Sequence, residues 1–209
     1  MKNLFIVFEG IDGSGTSTQA GLLRDYFLAR NERAIVTSEP SEGPIGNLIR
    51  QGLKQRVLFT ENIAKFDQQM AYLFAADRHD HLYNSVDGVF KKINDGFHVI
   101  STRYFFSSYA YHCKNDSDLK FVKRLNVEFP EPDLVVYINN PIEISLHRIN
   151  QRSVQDVYEN QEKLVLVKSN YEKIFSQYTG NLCEVDGNKD VKSIHSEITE
   201  FIEGKFGRG

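Results

Sequence analysis

Short apolar runs alternate with longer stretches in which apolar residues recur every three or four positions. The runs Leu4 to Phe8, Ala34 to Thr37, Phe97 to Ile100, Leu134 to Ile138 and Leu182 to Val185 predict strands. Between them, Gln19 to Ala29, Ile63 to Leu82, Ile142 to Gln151, Tyr158 to Tyr178 and Val191 to Phe206 predict helices. Leu22, Leu23, Tyr26 and Phe27 show the pattern, sharing one helical face. The alternation predicts an α/β fold with a five-stranded, mainly parallel sheet flanked by helices. No linker, repeat or low-complexity tract divides the chain, so residues 1–209 read as one domain. In such sheets ligands collect at the carboxyl ends of the strands, which directs attention to the loops there.

Composition changes this picture little. Hydrophobic residues make up 41% and charged residues 25%, ordinary for a globular protein. A formal net charge of -3 gives no reason to expect nucleic acid or an anionic membrane as partner. No apolar run reaches membrane-spanning length, and Met1-Lys-Asn-Leu leads straight into a strand, so no signal peptide is expected. Cys113 and Cys183 lie far apart without metal-type spacing. A reduced, cytoplasmic protein is the expectation.

The most informative loop is the first, Phe8-Glu-Gly-Ile-Asp-Gly-Ser-Gly-Thr-Ser-Thr-Gln19. Strand, glycine-rich turn and helix start follow one another, the context of a phosphate-binding loop. Gly10, Gly13 and Gly15 let successive N–H groups turn inward, and the positive end of the new helix adds to their hold on phosphate. The pattern is G-x-x-x-x-G-K-[ST] with Thr16 where the lysine belongs. Losing one such contact to the transferred phosphate costs roughly 3 kcal/mol, a factor of about a hundred to a thousand in rate. Ser17 can still ligate Mg²⁺, and Glu9 and Asp12 are nearby acids for metal or acceptor.

Two further segments carry chemistry. In Leu73-Phe-Ala-Ala-Asp-Arg-His-Asp-His-Leu82, Phe74 and Arg78 share a helical face, so a ring and a guanidinium can meet one planar ligand. Taken alone, the segment reads more simply as an apolar helix with a surface ion pair, Asp77 to His81. His79 and His81 diverge on a helix and do not suggest a metal site. Arg103-Tyr104 with Ser107, Ser108 and Tyr111 sits where a strand ends and a helix begins. An arginine there suits a bidentate grip on phosphate, although the segment also reads as an aromatic patch under a loop. The polar stretch after Arg152 is suited to a mobile lid, over about 152–160.

With these segments in place, the chain resembles the thymidylate kinase family of P-loop nucleoside monophosphate kinases over nearly its whole length. The first loop with Thr18-Gln19 resembles FEG-x-DG-x-GK-[ST]-TQ, and Glu39-Pro40 followed by Gly46 resembles REPGGT-x-xG. Leu73 to His81 resembles LFAADR-x-xH, and Arg103 to Tyr111 resembles DRY-x-xSS-x-AYQ. Pro132-Asp-Leu, Arg148 and Arg152 resemble PDL-x-x-x-L with its following R-x-x-x-R. The resemblance implies the P-loop nucleoside monophosphate kinase fold with a short lid, commonly a homodimer. It implies transfer of the γ-phosphate of ATP, with Mg²⁺, to dTMP. It places the ATP phosphates on the loop, Gly10, Gly13, Ser14, Gly15, Thr16, Ser17 and Thr18, with the metal at Ser17 and Glu9. Phe74 would stack on thymine, Arg78 would bond its carbonyl edge, and Pro40 would shape the pocket. Arg103 would hold the dTMP phosphate beside Ser107 and Ser108, Tyr111 would crowd the sugar, and Asp12 would meet the 3′-hydroxyl or the metal. Arg103, Arg148 and Arg152 are the cations available to support transfer, with Asp12 beside them.

The departures from the family pattern cluster. Thr16 replaces the loop lysine, Thr102 the acid of DRY and Ser38 the arginine of REP, while the lid is poor in bases. Most changes fall on the donor side, and the acceptor positions, apart from Ser38, persist. Three readings follow: an active dTMP kinase, a nucleotide-binding protein of weak or no kinase activity, and a kinase for another monophosphate or a nucleoside. Persistence of Phe74, Arg78 and Arg103 favours a thymidine-type monophosphate, and the complete loop frame favours the enzyme.

Overall fold

In the computed structural model, which describes residues 2–151 and 156–207, five strands form one parallel sheet. They are β1 (Phe5–Glu9), β2 (Ala34–Ser38), β3 (His98–Thr102), β4 (Leu134–Asn139) and β5 (Leu182–Asp186), in the order β2-β3-β1-β4-β5. The helices are α1 (Thr16–Ala29), α2 (Pro44–Leu53), α3 (Ile63–Tyr83), α4 (Val89–Asn94), α5 (Phe105–Tyr111), α6 (Asp116–Asn126), α7 (Ile142–Asn150), α8 (Gln161–Ser176) and α9 (Val191–Phe206).

The period of two along β1 divides the core. Phe5 and Val7 point to a layer that includes Ile49, Met70, Phe105, Tyr171 and Phe175, from α2, α3, α5 and α8. Ile6 and Phe8 point to the opposite layer, with Leu23 and Phe27 of α1 and Ile194, Ile198 and Ile202 of α9. Because helices cover both faces, every residue of β1 is buried, and each large apolar side chain adds about 1.5–3 kcal/mol. The edge strand β2 keeps one face partly open and shows mixed burial.

Each expected strand is present, displaced by at most a residue or two at its ends. Helix α8 is shorter than expected: Asn160 caps it by accepting from the Lys163 N–H, so Tyr158 precedes the helix. The turn-rich segment after β2 gives way to α2 at Pro44, where proline occupies the first turn and loses no hydrogen bond. Helices α2, α4 and α6 were not foreseen; α4 spans six residues, too few to display a period.

The sheet order makes β1 the switch point: the chain crosses to β2 and β3 on one side and to β4 and β5 on the other. The loop after β1 therefore opens between diverging connections, where an α/β sheet leaves a crevice.

Candidate functional site

The loop from Gly10 to Gly15 leads into α1 as expected. Gly13 has φ +79, and a Cβ there would lie 2.7 Å from the Ser145 carbonyl, so only glycine fits. Gly15, with φ +98, is the N-cap of α1 and provides no side-chain cap. The first intrahelical bond runs from the Gln19 N–H to the Gly15 carbonyl, which leaves the preceding amides of the turn for an anion. Ser17 and Thr18 are exposed in that turn and Thr16 is partly exposed. Ser14 instead packs beneath the loop, its Oγ buried without a partner among the described residues.

Arg148, exposed on α7, donates from Nη1 to the Gly13 carbonyl at 3.0 Å, placing a guanidinium on the loop. Arg152 lies outside the described residues. Lys163, a conceivable substitute for the lysine missing at position 16, is held elsewhere: it donates to the Tyr111 carbonyl and stacks over Tyr158. Burial lowers its pKa, against the pull of Asp67.

Arg103 stands between β3 and α5 in the left-handed region, with φ +75, a strained geometry for a residue with a Cβ. Its backbone N–H donates to the Phe8 carbonyl, tying it to the start of the loop. Nη2 meets Asp12 Oδ1 at 2.6 Å and the Tyr111 hydroxyl at 3.2 Å. Nη1 donates to the Gly10 carbonyl, Ser107 Oγ and Tyr171 Oη at 3.2, 3.1 and 3.4 Å. Burial opposes its charge, but Tyr111, Asp12, Tyr171 and Glu9 outweigh that and hold the pKa well above the usual range.

Glu9, expected beside a metal, has no exposed surface. Oε1 accepts the Tyr104 N–H at 2.8 Å, and Oε2 accepts the hydroxyls of Ser107 and Tyr171 at 2.6 and 2.8 Å. Burial raises its pKa to about 7, against the pull of Ser107, Arg103, Tyr171 and the Tyr104 amide.

One cavity gathers the acceptor-side residues: Pro40, Phe74, Arg78, Arg103, Ser107, Ser108 and Tyr111 all line it, with Asp12. Arg78 is fully buried. Nε and Nη2 grip Glu39 Oε2 at 2.9 and 2.6 Å, Nη2 also reaches Ser108, and Nη1 donates to Asn126. One guanidinium hydrogen is left for a ligand. The Asp77 to His81 pair expected on the surface is absent. Both residues are buried, Asp77 accepting from the Ser41 N–H and hydroxyl and His81 facing Glu39, because this face of α3 packs on the loop after β2.

Sequence reasoning missed several members of the site. Glu39 was seen only as part of a motif, and Asn126, Tyr158, Tyr171 and His112 were not singled out. Tyr171 sits at an ordinary apolar position of α8, so spacing could not mark it. Asn126 shares the buried face of α6 with Val122, and a polar residue there was the available signal.

The family model described as Thymidylate kinase matches residues 8–198. A putative thymidylate kinase of Treponema pallidum is 38% identical over 204 residues, covering 95% of this chain and 94% of that protein. A probable thymidylate kinase of Thermococcus kodakarensis is 36% identical, covering 98% and 99% respectively. One from Methanococcus aeolicus is 36% identical, covering 97% of each chain. A family match of this extent, on a parallel sheet with a phosphate loop at its switch point, places the chain in the thymidylate kinase family.

Proposed function

We propose that the protein transfers the γ-phosphate of ATP to dTMP, giving dTDP. The observation that carries the reading is the single cavity in which Phe74, Arg78 and Arg103 meet beside the phosphate-binding loop. Phe74 supplies a face for the base, the remaining Arg78 hydrogen a donor for its carbonyl edge, and Arg103 a cation for the acceptor phosphate. Tyr111, pinned to Asp12 at 2.8 Å, closes the sugar side.

Transfer forms a bond from a dTMP phosphate oxygen to the γ-phosphorus and breaks the bond to the β-phosphate. This chemistry depends mainly on positioning and charge compensation. Arg103, on the Gly10 carbonyl, and Arg148, on the Gly13 carbonyl, bring two cations to the loop from the segments that follow β3 and β4. Arg148 is thus the described residue best placed to offset the charge that a lysine at Thr16 would offset. That supports turnover over mere binding.

Mg²⁺, carried by ATP, neutralises phosphate charge. The exposed Ser17 hydroxyl suits an ion that keeps most of its ligands as phosphate oxygens and water, whereas the oxygens of Glu9 are committed. In this reading the lid spans about 152–160, of which residues 152–155 lie outside the described residues. Exposed Tyr72 and Val127 support a homodimer. Buried free Cys113 and Cys183 suit a cytoplasmic setting, and among the described residues no helix is long and apolar enough to cross a membrane.

Purified protein with ATP, Mg²⁺ and dTMP should form dTDP. Binding of dTMP without turnover, restored by Thr16→Lys, would leave a nucleotide-binding protein instead.

A further inference from the structure

Arg103 combines a strained backbone with a guanidinium that must present itself to a phosphate, and both parts lead back to the same carboxylate. The N–H that follows the strained residue, that of Tyr104, ends on Glu9 Oε1 at 2.8 Å. The side-chain Nη1 is received by Ser107 Oγ and Tyr171 Oη, and both hydroxyls donate in turn to Glu9 Oε2. We propose that Glu9 is a positioning residue for Arg103, acting on its backbone through the Tyr104 amide and on its guanidinium through Ser107 and Tyr171.

The physical reason is directional. A hydroxyl whose hydrogen is committed to a carboxylate presents its lone pairs elsewhere, and here they face the guanidinium. Three donors converge on Glu9, so its two oxygens act as the acceptors on which the arrangement is built. A fixed, dry network of this kind holds a charged group more tightly than solvent does. Tyr171 comes from α8, beyond the lid segment, and thus links that helix to the acceptor-phosphate cation.

A glutamine at position 9 would turn an amide NH₂ toward one set of these groups. Donating to Ser107 and Tyr171, it would swing their hydrogens toward Arg103; turned the other way, it would face the Tyr104 N–H. Either orientation breaks one of the two holds.

The inference rests on dTMP as the acceptor, and its test separates the two. Glu9→Gln and Tyr171→Phe are compared with the parent protein by calorimetry against dTMP and thymidine, and by steady-state kinetics. Both variants should bind dTMP about tenfold more weakly, the size of a lost charge-assisted hydrogen bond, with thymidine affinity nearly unchanged. KM for ATP and the Mg²⁺ dependence should stay at parent values, whereas a metal-ligand role for Glu9 would shift the latter. Equal losses for dTMP and thymidine would mean a merely structural role and overturn the proposal. A crystal structure of nucleotide-free Tyr171→Phe gives a reading independent of substrate: the guanidinium should be displaced or disordered, and finding it in the parent position would overturn the proposal. Failure of the parent protein itself to phosphorylate dTMP would count against the acceptor assignment alone.

Discussion

Arg103 Nη2 and Asp12 Oδ1 lie 2.6 Å apart at the rim of the phosphate loop, with the Tyr111 hydroxyl bonded to both residues. The cation proposed to hold the acceptor phosphate is thus already paired, and in that reading an incoming phosphate shares it with Asp12. Removing a charge-assisted contact costs roughly 1.5–3 kcal/mol. Arg103→Ala should therefore weaken dTMP binding tenfold or more, about 1.4 kcal/mol per factor of ten, and thymidine binding much less. Titration calorimetry with both ligands checks this, and an unchanged dTMP affinity would refute the assignment. Arg103→Lys should rescue little, because a single ammonium cannot reproduce the forked geometry.

The donor side carries a second prediction. A lysine at Thr16 would restore a contact worth roughly 3 kcal/mol in the transition state, so Thr16→Lys should raise kcat by about a hundredfold. Arg148→Ala should lower kcat while leaving dTMP affinity near the parent value, since its guanidinium touches the loop rather than the acceptor cavity. Steady-state kinetics with each substrate varied would decide it. A parent-like kcat in Arg148→Ala would remove Arg148 from the mechanism.

The Glu39–Arg78 pair is a stability determinant as well as part of the pocket. Both side chains are 1% exposed, and Arg78 is also bonded to Asn126 and Ser108. Breaking such a pair from one side leaves a buried charge unpaired and costs about 3–5 kcal/mol. Glu39→Ala should lower the urea midpoint accordingly without changing the slope of the transition. A shift below about 1 kcal/mol would show that water or a neighbour takes over the role of Glu39.

His112 supplies a pH dependence. Burial, with Lys163 and Arg78 adding to it and Asp67 opposing, lowers its pKa from 6.5 to about 3. The ring packs against Phe74 and Tyr158. As pH falls, the unfolded chain takes up the imidazole proton first. The contribution is therefore complete above about 6.5 and is lost progressively toward 3, by about 1.4 kcal/mol per pH unit. His112→Gln should remove that component, so the stability difference between parent and variant should narrow or reverse between pH 7 and pH 5. A constant difference across that range would show that folding does not shift the His112 pKa.

Much of the fold was legible because two periods are local properties of the chain. The five strands were visible as apolar runs, since a parallel sheet covered on both faces needs no polar side. The phosphate loop was visible because its glycines answer to backbone geometry, as the Gly13 contact with Ser145 bears out. The buried polar network was much less so. Asp77 and His81 read as a surface pair because they stand one helical turn apart. Their actual partners, Ser41 and Glu39, are more than thirty residues away in the chain. Nothing in local spacing encodes those meetings.

The sequence alone thus determined the layered parallel architecture, the loop at the end of β1 and the chemical types available around it. The first two depend on backbone preferences and hydrophobic periodicity, which act over a few residues. Only the tertiary structure decided how charges pair: Arg103 with Asp12, Arg78 with Glu39, Arg148 with the loop, and Glu9 with Ser107 and Tyr171 rather than with an open metal site. Pairing over such separations depends on which loops the sheet order brings to one edge, and burial there makes each match strong enough to fix the geometry.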